Sequence, residues 1–321
     1  MFKRILVPLD GSARAEQALP LAAHIARTYN SAIILTRIVD VFETVGASSI
    51  QAAALTNEIR EIQEKEAREY LQRIYGAREL ERLDTAIEVH SGDVATTLLE
   101  MITRESIDLV VMTSHGYTGY KQWMLGSVAQ KMVHDSIAPV LIQRENYALP
   151  CGTASGDLKF CVALDGSELA ERVLRPALYV AAACGNVRQR EVHLLRIVKA
   201  MEAERVEIFR RIHKLDIQQF LYNEATSYLK ELGERLNKEA AAQLGVRVTW
   251  SVIMGSDIAR AIIHEVEGEA PVMQGPFPYA LLALATHGRS GIARWAAGSV
   301  AERILNNTKL PLLVVHPPKK M

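Results

Sequence analysis

Glycines and serines recur in this 321-residue chain at a spacing suited to holding a phosphate group. Thr113-Ser-His-Gly116-Tyr-Thr-Gly119 runs into Leu125-Gly126-Ser127-Val128-Ala129. The same phrase returns 172 residues later, as Ala285-Thr-His-Gly288-Arg-Ser-Gly291 running into Ala297-Gly298-Ser299-Val300-Ala301. Glycine lets backbone approach a ligand without a Cβ in the way and permits positive φ. Each closing Gly-Ser-Val-Ala opens a helical pattern, so free amides and the positive end of a helix dipole would face an anion. The hydroxyl of Ser127 or Ser299 would add a donor. A lone Gly-x-x-Gly is a weak signal, and either serine could be a plain N-cap. The repetition, each time between an apolar run and a helical pattern, is what strengthens it.

Asp10 and Asp165 each end a short apolar run and precede Gly-Ser. Asp-Gly-Ser makes an adequate turn and N-cap. A carboxylate at that edge could equally accept hydrogen bonds from a ribose hydroxyl or a base amine, and both readings stay open. His115 and His287 read as neutral polar loop residues, with a phosphate contact or a titrating group as the alternative. Asp93 and Asp257, after Gly92 and Gly255, are expected to cap the third helix of each half.

The elements that must position these residues come from the repeat itself. Arg4 to Ser12 is answered by Lys159 to Ser167, Ala32 to Val39 by Val192 to Val198, and Ser91-Gly92-Asp93 by Gly255-Ser256-Asp257. Ala138-Pro139-Val-Leu-Ile142 is answered by Leu310-Pro311-Leu-Leu-Val314. The offset grows along the chain, so the second copy carries two insertions. One lengthens the helical region after its second strand, and the other is the Gly268 to Ala280 segment. Short apolar runs alternate with longer helical patterns, which predicts βαβ units and parallel sheets covered on both faces. Two domains follow, 1–146 and 157–318, with a linker at about 147–156 rich in Pro, Gly and Ser. Helical spacing runs through Leu55, Ile59, Ile62, Tyr70, Leu71 and Ile74, and through Phe209, Ile212, Leu221, Tyr228, Leu232 and Leu236. These long helices either cover the sheets or spend their excess length on a partner.

Composition narrows the function classes. Lys and Arg number 37 against 37 Asp and Glu, so no basic footprint points to nucleic acid or an anionic membrane. Aromatics are too few for base-stacking platforms. No stretch approaches the roughly 20 apolar residues of a membrane span, and the apolar start is too short for a signal segment. Cys151, Cys161 and Cys184 are an odd, widely spaced set that makes a poor disulfide framework and a poor zinc site. The expectation is a reducing, cytoplasmic compartment, with Cys151 exposed in the linker.

On these residues the chain resembles the universal stress protein family, in its tandem form. That family's motif is Gly-x2-Gly-x9-Gly-Ser/Thr. Its second and third glycines fall on Gly116 and Gly126, then on Gly288 and Gly298. The resemblance implies a doubly wound five-stranded parallel sheet per domain, order 3-2-1-4-5, Rossmann-like and of the adenine nucleotide α-hydrolase-like group. It also implies pairing of the two halves through their last strands and binding of ATP, with AMP or ADP as variants and Mg optional. A homodimer of the whole chain stays open.

Carried over, Pro8, Leu9, Asp10 and Ile38 would line the adenosine, while Gly116, Gly126, Ser127 and Val128 would hold phosphates. The second set is Ala163, Leu164, Asp165, Ile197, Gly288, Gly298, Ser299 and Val300. Both halves depart from the motif at its first glycine, which is Thr113 in one and Ala285 in the other. A Cβ there could crowd the ligand, or strain the backbone if positive φ were needed. Threonine is worse on both counts, so the second site is the better candidate if only one binds. Against that, the Gly268 to Ala280 segment, near the second sheet in sequence, could cover or block its crevice.

The leading expectation is a nucleotide-binding stress protein without committed catalysis. The alternatives are a non-nucleotide interaction protein of the same fold and a weak ATP hydrolase. No Gly-x4-Gly-Lys-Ser/Thr loop and no acidic cluster suited to magnesium speaks for the last.

Overall fold

The structure, a computed structural model, describes residues 1–40, 50–114, 125–144, 147–151, 158–185, 190–268, 278–286 and 298–316. The chain divides into two compact units, Met1–Asn146 and Tyr147–Met321.

The first unit runs β1 (Arg4–Pro8), α1 (Ala13–Glu16), α2 (Leu19–Tyr29), β2 (Ala32–Val39), α3 (Ile50–Tyr75) and β3 (Thr85–Ser91). It continues with α4 (Val94–Arg104), β4 (Leu109–Thr113), α5 (Ser127–Asp135) and β5 (Val140–Gln143). The described pairings of these five strands are parallel: β1 lies between β2 and β4, with β3 beyond β2 and β5 beyond β4. The order is 3-2-1-4-5. All five residues of β4 are buried, as expected of a strand covered on both faces.

The second unit repeats this with β6 (Leu158–Ala163), α6 (Glu168–Glu171), α7 (Leu174–Cys184), β7 (Arg190–Lys199), α8 (Ala203–His213), α9 (Ile217–Lys238) and α10 (Ala240–Leu244). Then come β8 (Arg247–Gly255), α11 (Ile258–Glu267), β9 (Leu281–Ala285), α12 (Ser299–Asn307) and β10 (Leu312–Val315). Strand β6 lies between β7 and β9, with β8 and β10 outermost in the same parallel order.

The long helical regions resolve unequally. In α3 the buried face is Ala67, Tyr70, Leu71 and Ile74, whereas Ile59 and Ile62 are exposed. The lengthened region of the second unit breaks into three helices. Lys214 at positive φ separates α8 from α9, and Glu239, with φ −112° and ψ −103°, separates α9 from α10. Ala225, Leu229 and Leu232 are buried, and Gly233 lies against Trp250. Phe209 and Ile212 are not buried, and α8 buries none of its residues. Part of each apolar pattern is therefore buried and part, among the described residues, is not.

The cysteine expectation is corrected. Cys151 and Cys184 form a disulfide, their Cα atoms 4.2 Å apart, and only Cys161 is free and buried. Cys151 is half-buried rather than exposed. The pairing was invisible because it depends on where the C-terminus of α7 lies, not on a spacing motif.

Candidate functional site

The first-strand turns are built alike. In the first unit Oδ1 of Asp10 accepts from the Ser12 amide (2.9 Å) and the Ser12 hydroxyl (2.6 Å). In the second, Asp165 Oδ1 accepts from the Ser167 amide (2.9 Å) and hydroxyl (2.7 Å). The N-cap itself is the serine: Ser12 Oγ accepts from the Ala15 amide and Ser167 Oγ from the Ala170 amide, each at 3.2 Å. The aspartate thus secures the turn and the serine caps the helix. Gly11 and Gly166 stand at φ +90° and +85°, where a side chain would be strained.

A further constellation is repeated around these turns. Arg37 lies over the Tyr70 ring and Arg196 over the Tyr228 ring, each 5.2 Å from the centroid. The tyrosine hydroxyls donate to carboxylates of the first helix of each unit, Tyr70 to Glu16 at 3.1 Å and Tyr228 to Glu171 at 3.0 Å. Burial first, then the neighbouring carboxylate, pushes both hydroxyls well above the usual tyrosine range. Arg-Ile-Val at the end of the second strand of each half was the sequence signal for this pair.

At the fourth strand the same closure appears twice. The Gly126 amide donates to the Ser114 carbonyl and the Gly298 amide to the Thr286 carbonyl, both at 2.8 Å. Gly126 and Gly298 are the N-caps of α5 and α12, so Ser127 and Ser299 are the first helical residues and not the caps. Neither glycine has positive φ, with values of −64° and −55°. What glycine offers is space: a Cβ on Gly298 would meet only the Thr286 carbonyl, at 3.5 Å. Thr113 and Ala285 are likewise absent from the positive-φ residues, so the feared backbone strain does not arise at either position. Asp93 and Asp257 cap α4 and α11 as expected, accepting from the Thr96 and Arg260 amides at 2.9 and 3.1 Å. Lys131 of α5 and Arg303 of α12 bind those caps.

In the second unit these elements enclose a cavity of about 460 Å³. Its wall takes Ala163, Leu164 and Asp165 from the end of β6 and Ile197 from β7. Ala285 comes from β9, and Gly298, Ser299 and Val300 from the start of α12. Residues that sequence reasoning missed complete it: Arg196 and Lys199 from β7, Leu221 and Glu224 from α9, Ile258 and Ile262 from α11. Arg196 is buried and stands 3.5 Å from Glu224.

The arrangement offers helix-terminal amides and a hydroxyl at one part of the wall, apolar side chains along another, and a cation–carboxylate pair on β7 and α9. That suits an elongated ligand with an anionic end and a flat, partly apolar end. In the first unit, Pro8, Leu9, Asp10 and Ile38 lie at the carboxyl ends of the adjacent strands β1 and β2. Gly126, Ser127 and Val128 lie at the start of α5, and Thr113 is buried at the end of β4. Gly116 and Gly288, with His115, His287, Gly119 and Gly291, lie outside the described residues, as does most of the Gly268 to Ala280 insertion.

The second unit holds one polar group that the first lacks. His193 sits between Thr249 Oγ1 on Nδ1 and Ser251 Oγ on Nε2, each 2.8 Å away. Thr249 donates to Glu191 at 2.8 Å, so it accepts from Nδ1–H, and Nε2 accepts from Ser251. Burial, then the charge of Lys159, brings His193 down to about 4. A base that weak at neutral pH ties strands together rather than moving protons in catalysis.

Among the described residues no helix is long and apolar enough to cross a membrane. The universal stress protein family matches residues 1–144 and 158–316. Universal stress protein MJ0531 of Methanocaldococcus jannaschii is 28% identical over 145 residues, which are 45% of this chain and 84% of that relative. Universal stress protein YxiE of Bacillus subtilis is 32% identical over 149 residues, 45% of this chain and all of that protein. Each of these relatives corresponds to about half of the chain. A universal stress protein from Archaeoglobus fulgidus has the same fold over 98% of both chains, with a TM-score of 0.64 at 20% identity. With the family matched once in each half, the chain belongs to the universal stress protein family, as a tandem two-domain member.

Proposed function

We propose that the second unit binds an adenine nucleotide, ATP in the first place and ADP or AMP as related occupants, and that the chain serves a stress response as a nucleotide-binding protein without committed chemistry. The observation that carries this reading is the cavity. All the described residues that the family resemblance assigned to the second site lie on one wall or another of it. The residues fit the group. The amides at the start of α12 and the Ser299 hydroxyl would hold phosphate oxygens, favoured by about 0.3–1 kcal/mol from the helix dipole. Gly298 would let them approach, and Leu164, Ile197 and Ile262 would cover the adenosine. Bound ATP supplies a polyanion and a base to be recognised. Asp165, held by Ser167, would orient towards the sugar. The first unit has the same turn, cap and fourth-strand closure, and binding there is part of the proposal at lower affinity.

Calorimetric titration of ATP into the nucleotide-stripped full chain tests this. Heat of binding is expected, and Gly298→Ala should weaken it at least about tenfold, because the fold itself has room for the methyl group, 3.5 Å from the Thr286 carbonyl, while Gly298 lines the cavity where phosphate would approach. The same change at Gly126 should matter less. No heat in the unaltered protein would overturn the nucleotide reading in favour of an interaction protein. That second reading draws on the exposed Phe209, Ile212 and Phe220 of the second unit. Slow ATP turnover abolished by Asp165→Asn would instead support a hydrolase.

A further inference from the structure

The front of α9 contributes to the wall of this cavity. The rear of α9 is firmly held: Ala225, Leu229, Leu232 and Gly233 are buried, and Arg235 reaches Glu171 at 3.0 Å. The front, from Ile217 to Glu224, buries no residue. Two of its side chains, Leu221 and Glu224, face the cavity. Gln218 accepts from the Met201 amide at 2.8 Å, Asp216 caps the helix and binds Arg210 at 2.9 Å, and Glu224 meets Arg196 at 3.5 Å. Helix α8 precedes it with no buried residue at all, and Ile208, Phe209, Ile212, Leu215 and Phe220 along this stretch are exposed. A helix that buries no apolar face has little stability beyond its propensity, and a segment with few buried contacts opens at low free-energy cost.

We infer that the occupant of the second cavity is the missing core of this segment, so that ligand binding orders α8 and the front of α9 and thereby reports occupancy at the surface. The inference rests on the nucleotide reading of the cavity. A ligand lying against Leu221 and beside the Arg196–Glu224 pair buries the two side chains of the front of α9 that line the cavity. Ordering then spreads back through Asp216 and Arg210 to α8. The coupling is a free energy shared by both events, so the state of α8 and the affinity of the cavity depend on each other. The rear of α9, already packed on β7 and β8, has nothing to gain.

Hydrogen exchange of the full chain, with and without saturating ATP and alongside calorimetry, tests it. Exchange should slow at least about fivefold across residues 203–224, while 229–238 stay unchanged. The start of α12, residues 298–304, serves as the occupancy reporter. Heat with protection at 298–304 but none at 203–224 overturns the inference and leaves the nucleotide reading standing. Heat with protection in neither segment, or no heat, overturns the nucleotide reading of this cavity and the inference with it. Slowed exchange spread evenly over the whole second unit also overturns the inference, since it would report global stabilisation alone.

Discussion

The two units keep the same backbone devices and differ in what stands on the face of each one's own sheet. Both have the Asp-Gly-Ser turn, the serine cap, the arginine over a tyrosine, and the glycine closure after the fourth strand. At the sheet face the register aligns Leu6, Ile34 and Ala86 in the first unit, but Cys161, His193 and Thr249 in the second. Past the second strand the first unit has Asp40 where the second has Lys199, on the cavity wall. Duplication has thus held fixed whatever sets chain direction and loop shape. It has left free the side chains whose neighbours come from other elements. The difference predicts that the halves diverge in occupancy, pH response and cross-linking while remaining one fold.

The largest break between the units should come from the disulfide. Reduction, or Cys184→Ser, should destabilise the second unit by about 2–4 kcal/mol, because a loop of 33 residues then regains its freedom in the unfolded chain. Exchange or calorimetry resolved by unit would show it; equal loss in the first unit would contradict the assignment of the bond to the second alone.

The pH response should be next in size. His193 titrates near 4 when folded and near 6.5 when unfolded. Between those values the unfolded chain binds the extra proton, so stability of the second unit falls as pH drops from about 6.5 to 4 and is flat above that window. Lys159, Glu191 and Tyr279 surround the ring. Urea unfolding at pH 7 and 4.5 measures this, and His193→Gln should flatten the second unit's dependence while the first unit, with Ile34 there, stays unaffected.

The smallest effect concerns the caps. The hydrogen bonds from Thr96, then the Lys131 ammonium, hold Asp93 down to about 2, and the Arg303 guanidinium holds Asp257 below the usual carboxylate range. Their contribution is present above about pH 4 and lost as pH falls towards 2. Asp257→Asn should lower the melting temperature slightly more than Asp93→Asn. Arg303 makes two bonds to Asp257, whereas Lys131 makes one to Asp93. Equal shifts would remove the distinction.

The sequence was most readable where a few neighbouring residues settle the outcome. Asp93 and Asp257 read as caps and are caps. Asp-Gly-Ser read as a turn, though which of Asp and Ser takes the helix needed the geometry. The alternating strands and helices, with the family resemblance, yielded the parallel order. Of the two concerns over Thr113 and Ala285, backbone strain does not arise, because φ at those positions depends on how the strand end meets the next helix.

Local chemistry therefore determined the turns, the caps, the element order and the doubled glycine loop from sequence alone. Tertiary structure alone decided that Cys151 meets Cys184, that Leu221 and Glu224 wall the same cavity as Ser299, and that His193 is wedged between Thr249 and Ser251. The physical reason is range. A cap or turn is fixed by hydrogen bonds within a few residues, which spacing records. A cavity or a cross-link joins residues as distant in sequence as Ala163 and Ile304, or Cys151 and Cys184, whose distances exist only once the helices have packed on the sheet.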